Sequence, residues 1–180
     1  MTNGKLFVVT LWVLRALIIV TMVAIVVIAL GMAIVIYGLI ASSSLARAIG
    51  AAMTLKMAWD EYGRVFLPTS AGNIVTLTLA QLICRALRRV VASASVGDPF
   101  IEANAADLVR IAWLLLGWDV FDWVIKPTVY AFLSLGPKVS IPGLLDGFLT
   151  PRLLPVLLVF VLAQIFRRGS DMRAELAETI

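Results

Sequence analysis

The chain has 180 residues, of which 62% are hydrophobic and 14% charged, and its mean hydropathy is +1.03. This composition is too apolar for an ordinary soluble domain and predicts an integral membrane protein. The net charge of +4 comes from short clusters of Lys and Arg at the ends of apolar runs, which favours contact with anionic lipid over nucleic-acid binding. One cysteine and no histidine exclude an intramolecular disulfide and histidine-ligated metal sites, and we predict no cofactor.

The first predicted membrane span is residues 16–41, a stretch of 26 residues without a charge. At about 1.5 Å of rise per residue it covers about 39 Å, more than the roughly 30 Å hydrocarbon core of a bilayer. A basic start and small residues after the run also resemble a signal peptide, but an apolar stretch this long favours an uncleaved anchor. Residues 42–64 turn polar and are predicted to form an extracytoplasmic segment, a helix lying along the outer interface.

The second predicted span, residues 65–88, mixes polar and apolar side chains. Thr69, Asn73 and Thr76 fall close together on a helical wheel. They indicate either hydrogen bonding between helices or the polar lining of an internal site. Three arginines at i, i+3 and i+4 then form one basic face where the helix leaves the bilayer: Arg85, Arg88 and Arg89.

The connection between the second and third spans contains Gly97, Asp98 and Pro99. Because proline lacks the N–H that a helix start leaves unpaired, Asp98 is predicted to cap a helix whose first residue is Pro99. Phe100 then offers an apolar anchor toward the bundle or the lipid headgroups, and Asn104 or Asp107 is expected to satisfy amides of the turn. The connection is either a structural turn or part of a docking site.

The third predicted span, residues 105–128, carries Asp119, Asp122 and Lys126 on one helical stripe. If the helix enters the membrane near Ala105, Asp119 lies about 21 Å into a core of roughly 30 Å, where a carboxylate must be neutralised, paired or facing water. Asp122 and Lys126 have the favourable acidic-before-basic i, i+4 order. Two interpretations stay open: a solvated ion-pair end near the outer surface, or a buried polar site for a ligand, ion or proton.

Residues 129–151 are rich in Gly and Pro and are predicted to form an outer loop. The fourth span, residues 151–167, opens with Thr150 as a cap before Pro151, and residues 168–180 form a short tail with a brief helix capped by Ser170. The prediction is therefore an all-α, four-helix membrane bundle in a single domain. Nine basic residues fall on the inner side and six on the outer side, so both termini are expected in the cytoplasm.

Two segments, VGDPFIEANAADLVRIAWLLL and AQIFRRGSDMRAELAETI, resemble a bacterial integral membrane family catalogued as domain of unknown function 2975. The residues that carry the resemblance are Gly97, Pro99, Phe100, Asn104, Leu108, Phe166, Arg168, Gly169, Glu175, Leu176 and Thr179. The resemblance implies a small four-helix protein of the bacterial inner membrane that crosses it several times. It also implies a genetic neighbour, a short helix-turn-helix regulator of the Xre type, and hence a membrane partner for a DNA-binding protein. It transfers no catalytic residues.

The first functional hypothesis is a non-enzymatic interaction or signalling protein. Its predicted partners are the lipid bilayer, a small cytoplasmic DNA-binding regulator and further copies of itself, without direct nucleic-acid binding. Its predicted docking residues are Arg85, Arg88, Arg89, Asp98, Pro99, Phe100, Asn104 and Arg168.

The alternative is a small oligomeric transporter or channel subunit with an intramembrane polar site. That site would contain Asn73, Asp119, Asp122 and Lys126. A membrane enzyme ranks third, because the sequence has no phosphate loop, zinc motif or nucleophile elbow.

Overall fold

A computed structural model describes residues 3–40, 59–96, 99–132 and 153–178, and each of these stretches is helical over almost its whole length. The elements are α1 Asn3–Ile40, α2 Trp59–Val96, α3 Glu102–Val120, a π-helical turn Phe121–Ile125, α4 Lys126–Phe132 and α5 Leu153–Glu178. The all-α prediction is confirmed for the described residues. Most of the interfacial helix expected at residues 42–64 and of the loop expected at residues 129–151 lies outside them, and residues 59–64 belong to α2.

The helices are longer than the predicted spans. α1 and α2 each have 38 residues, about 57 Å at 1.5 Å per residue, which exceeds the bilayer core. The outer loop was expected to begin at Val129, but α4 keeps the chain helical as far as Phe132. α2 likewise continues well past Arg88, so the apolar runs locate the helices without fixing their ends.

The residues predicted to form a tail after the fourth span are, as far as Glu178, part of α5. Its 26 residues run without interruption from Leu153 to Glu178, so the prediction of a brief helix capped by Ser170 is wrong. Ser170 lies inside α5, where its hydroxyl donates to the carbonyl of Arg167 at 2.7 Å. The reason is that Arg, Met, Ala, Glu and Leu are good helix formers, and the single Gly169 costs only about 1 kcal/mol.

The helices pack in sequence order: α1 on α2, α2 on α3, and α3 on α5. Near the α2–α3 connection three helices share one core, which contains Ala86 and Val90 of α2, Leu108 and Ile111 of α3, and Ala163 of α5. The two alanines permit close approach of the helix backbones. This core fixes the end of α2, the start of α3 and the middle of α5 relative to one another.

Most large apolar side chains of α1 and α5 face outward. Leu6 is 70% exposed and Leu158 is 70% exposed, whereas Leu14 and Val35 are buried on α1. Two segments, Lys5–Tyr37 and Leu153–Leu176, are long and apolar enough to cross a membrane, although an N-terminal signal sequence meets the same criterion as the first. Such extensive apolar exposure is typical of contact with lipid or protein partners. The crossings by α2 and α3 and the cytoplasmic position of the termini stay predictions.

Candidate docking surface at the α2–α3 connection

Helix α3 starts later than predicted. Pro99 and Phe100 are not helical, and Ile101 occupies the N-cap position with φ −108° and ψ 147°. The amides of Asn104 and Ala105 donate to the Ile101 carbonyl at 3.0 and 3.4 Å. The predicted helix start at Pro99 is therefore wrong, and Asp98, its predicted cap, lies outside the described residues. The acidic residue that does stand in the first turn of α3 is Glu102, at the positive end of the helix dipole.

Asn104 joins α2 to the connection from a buried position. It is 2% exposed, its Nδ2 donates to the carbonyl of Pro99 at 2.8 Å, and its Oδ1 lies 2.7 Å from the Ser93 hydroxyl. The Ser93 hydroxyl also lies 2.9 Å from the carbonyl of Val90, so two acceptors share its one hydrogen. Asn104 or Asp107 was predicted to satisfy turn amides; among the described residues Asn104 instead donates to a turn carbonyl, and Asp107 accepts from Arg89. The outcome is a short network that holds residues 99–101 against the end of α2.

Arg89 and Asp107 connect α2 and α3 a second time. Arg89 Nε donates to Asp107 Oδ2 at 2.7 Å and Nη2 donates to Oδ1 at 2.6 Å, a bidentate ion pair. The hydrogen bond to Asp107 raises the pKa of Arg89; burial opposes this rise, and the charge of Asp107 adds to it by less than burial takes away. Arg89 is thus occupied within the fold. No local spacing in the sequence could identify its partner, because Asp107 is 18 residues away.

Phe100 links the connection to α5. Its ring lies 5.1 Å from the ring of Phe166 between centroids, tilted by 43°. A Cβ added at Gly169 would approach Phe100 Cδ1 to 2.7 Å, closer than Cβ atoms come to neighbouring atoms. Gly169 therefore leaves room for the Phe100 ring. These three residues bring together the two segments that carry the family resemblance.

Five arginines around this assembly have exposed side chains: Arg85, Arg88, Arg110, Arg167 and Arg168. Beyond Arg168, Met172 is 60% exposed and Leu176 is 67% exposed, and their spacing of four places them on one face of α5. The sequence analysis named Leu176 only for the family resemblance and included neither side chain among the predicted docking residues. The available signal was an apolar i, i+4 pair within an otherwise charged segment.

Two of the polar residues predicted for the membrane interior, Asp122 and Lys126, pair with each other. Lys126 Nζ lies 3.2 Å from Asp122 Oδ1, and both side chains are partly buried; Asp122 lies in the π-helical turn and Lys126 directly follows it. Asn73 forms no hydrogen bond with this pair among the residues the structure describes. The hydroxyls of Thr69 and Thr76 donate to carbonyls one turn earlier in α2, at 2.7 and 3.1 Å.

Asp119, the remaining member of the predicted stripe, is partly buried on α3. Across the four described stretches, no group of three His, Cys, Asp or Glu side chains is placed to hold a metal ion.

The described residues form an all-helical protein in which two helices are long and apolar enough to cross a membrane. The connection between α2 and α3 packs on α5 through Phe100 and Phe166. The family model described as Protein of unknown function (DUF2975) matches residues 50–180, well over half of the chain, and the protein belongs to this family. The match includes α2 through α5 and leaves the whole of α1 outside. No curated protein and no solved structure is detectably similar to the chain.

Proposed function

We propose that this protein is a non-enzymatic, multi-pass protein of the bacterial inner membrane that docks a small helix-turn-helix regulator at its cytoplasmic face. The observation that carries the proposal is the fixed geometry of the connection. Two contacts, Asn104 with Ser93 and Arg89 with Asp107, join the end of α2 to the start of α3. A third, Phe100 with Phe166, holds the connection against α5. We call the exposed residues that surround them, Arg85, Arg88, Arg168, Met172 and Leu176, the docking surface.

The docking surface has the composition of a protein interface. Arginine and methionine are enriched at interfaces, where apolar anchors supply burial and arginines supply directional contacts. Met172 and Leu176 present two anchors at helical spacing, as expected where one helix packs against a groove or helix of a partner. The positive charge of the arginines is complementary to an acidic surface on the partner. The kind of partner, a small DNA-binding regulator, is what the family resemblance suggests.

The length of α5 supports contact with protein at this surface rather than with lipid alone. The apolar run of α5 ends at Phe166, and Arg167 and Arg168 follow it at the expected edge of the hydrocarbon core. At about 1.5 Å per residue, Leu176 lies about 12 Å beyond Arg168 along the helix, whereas the headgroup layer is only about 5–7 Å thick. An α5 that runs near the membrane normal therefore carries Leu176 past the headgroups into the cytoplasm.

The test is capture of the regulator encoded next to the gene, using the full-length protein in mild detergent. The first variant is Arg85→Ala with Arg88→Ala, and the second is Met172→Ala with Leu176→Ala. Arg89 stays unchanged because its loss would also break the ion pair with Asp107. The matched control is Lys5→Ala with Arg15→Ala, which removes two exposed charges from α1.

Both docking-surface variants are expected to lose the regulator, and the control is expected to keep it. Unchanged capture, together with unchanged expression of the regulator's target genes, would refute the proposal.

The second candidate is a small oligomeric transporter or channel subunit, and two features favour it. The π-helical turn Phe121–Ile125 carries Asp122, and such turns are frequent at functional sites. In α2, Gln81 is buried and its Nε2 has no hydrogen-bond partner within the described part of the chain. Proton or potassium flux into liposomes that disappears with Asp119→Ala and Asp122→Ala would support transport. Flux that persists in this variant, or that is absent from the wild type, would count against it.

A further inference from the structure

A groove of about 450 Å³ lies between α3 and α5, near the start of α3. Its volume falls within the roughly 300–1,000 Å³ range of small-molecule sites. Ala105 and Ala163 form the floor and are 4% and 2% exposed, while Val109 and Phe160 line it further from the start of α3. Small floor residues leave a channel wide enough for a flexible apolar chain.

The apolar side of the groove continues along α3. The ring of Phe160 meets Trp113 edge-on, with centroids 5.6 Å apart, and Trp113 is 61% exposed. Trp113 lies about 16 Å from Glu102 along the helix, in the direction of the predicted membrane interior. With α3 and α5 crossing the membrane as in the proposed function, on which this inference rests, the groove leads from the headgroup level toward hydrocarbon.

The other end of the groove is polar and carries both signs of charge. Glu102 supplies a carboxylate, Arg167 a guanidinium, and Gln164 an amide, and all three side chains are exposed. No ion pair joins Glu102 to Arg167 within the described ranges, so the two charges stand apart at the rim. A ligand with an anionic and a cationic group a few ångströms apart would satisfy both.

We infer that this groove binds phosphatidylethanolamine from the surrounding membrane. Its phosphate pairs with Arg167, its ammonium pairs with Glu102, and one acyl chain lies over Ala105 and Ala163 toward Phe160. The acid at the rim distinguishes this lipid from phosphatidylglycerol, which offers no cation. The three N–H donors of the ammonium distinguish it from phosphatidylcholine, whose quaternary nitrogen has none. This site lies outside the docking surface and does not depend on the proposed regulator.

The test measures lipid retention by the full-length protein with native mass spectrometry. Delipidated protein in mild detergent is incubated with phosphatidylethanolamine, phosphatidylglycerol or phosphatidylcholine of identical acyl chains. The wild type is expected to retain phosphatidylethanolamine about two- to fivefold better than the other two lipids, the preference that one solvated ion pair supplies. Glu102→Gln is expected to abolish the preference, and Arg167→Gln to lower retention of all three phospholipids.

Matched controls separate the groove from general charge effects. Asp171→Asn and Arg15→Gln remove one charge of each sign from exposed positions outside the groove and are expected to leave retention unchanged. Val109→Trp fills the groove from a side chain that is 37% exposed, and Val120→Trp places the same ring on α3 away from it. Only Val109→Trp is expected to prevent retention, with the helical circular dichroism of both variants unchanged.

Two results would overturn the inference. One is equal retention of the three lipids by the wild type, or a preference that survives both Glu102→Gln and Arg167→Gln. The other is a change from dimer to monomer with Val109→Trp while lipid retention stays the same, which would assign the groove to a second copy of the chain.

Discussion

The contact between Phe100 and Gly169 yields the sharpest prediction, because two effects of known size oppose each other. Gly169→Ala adds a Cβ at 2.7 Å from Phe100 Cδ1, whereas ordinary contact begins at 3.4 Å, so the ring must retreat by about 0.7 Å or more. The retreat weakens the ring pair with Phe166, which contributes about 0.5–1.5 kcal/mol. Replacing glycine by alanine inside a helix contributes about 0.8–1.0 kcal/mol in the opposite direction.

The two effects nearly cancel, and Gly169→Ala is expected to change the free energy of unfolding by less than about 0.5 kcal/mol. Gly117 supplies the matched control, since a Cβ there meets nothing within 4 Å. Gly117→Ala is expected to stabilise the protein by the full value of about 0.8–1.0 kcal/mol. In a Phe100→Ala background the obstacle is gone, and Gly169→Ala should then stabilise as much as Gly117→Ala does.

The assay is equilibrium unfolding in mixed micelles with increasing denaturing detergent, followed by far-ultraviolet circular dichroism. The four variants of the Phe100 and Gly169 cycle are compared with Gly117→Ala in both backgrounds. The reasoning fails if Gly169→Ala stabilises equally with and without the Phe100 ring, because the ring would then not lie over Gly169.

The remaining predictions concern the contacts that hold the connection. A double-mutant cycle of Arg89→Ala and Asp107→Ala should give a coupling of about 1 kcal/mol, the upper end for a partly exposed pair, because the pair is bidentate. Because the pKa of Arg89 is raised, the stability that this ion pair contributes is lost only as pH rises through a value far above neutrality. The coupling should therefore be constant between about pH 7 and pH 9. A decline within that range would contradict this expectation. In detergent unfolding, Asn104→Ala should destabilise the protein by about 1–3 kcal/mol, because Asn104 is buried and its loss removes two hydrogen bonds. Ser93→Ala should destabilise it by about 1 kcal/mol or less. Equal effects of the two substitutions would refute the hydrogen-bond network.

The sequence predicted the existence of the helices well and their ends poorly. Uncharged runs such as residues 16–41 identify a helix, because the unbroken apolar stretch leaves few alternatives. Where a helix ends depends on whether the polar residues that flank the apolar run favour helix. The residues that follow Arg88 and Arg167 are helical, so α2 and α5 extend beyond their apolar runs. Hydropathy therefore marked the membrane-sized part of α2 and α5 and missed their extensions.

For the candidate docking surface too, the sequence indicated which residues matter but not the contacts between them. Phe100 and Gly169 could be singled out through the family resemblance, but their mutual approach is a tertiary contact that no local pattern contains. Asp98 and Pro99 had the sequence of a helix start, yet α3 begins at Glu102, with the buried Asn104 donating to the Pro99 carbonyl. A tertiary hydrogen bond accompanies the extended connection where a local capping rule predicted helix.

The orientation of the docking surface can be measured directly, because the chain has a single cysteine, Cys84. In a Cys84→Ser background, Ser95→Cys and Met172→Cys place thiols at exposed positions on α2 and α5. Ile40→Cys places a thiol at the C-terminal end of α1, which is predicted to face the outside of the cell. A membrane-impermeant maleimide is applied to intact spheroplasts and to inverted inner-membrane vesicles. The proposed function predicts that residues 95 and 172 are labelled only in inverted vesicles and residue 40 only in spheroplasts. Labelling of residue 95 or residue 172 from the outside would contradict a cytoplasmic docking surface.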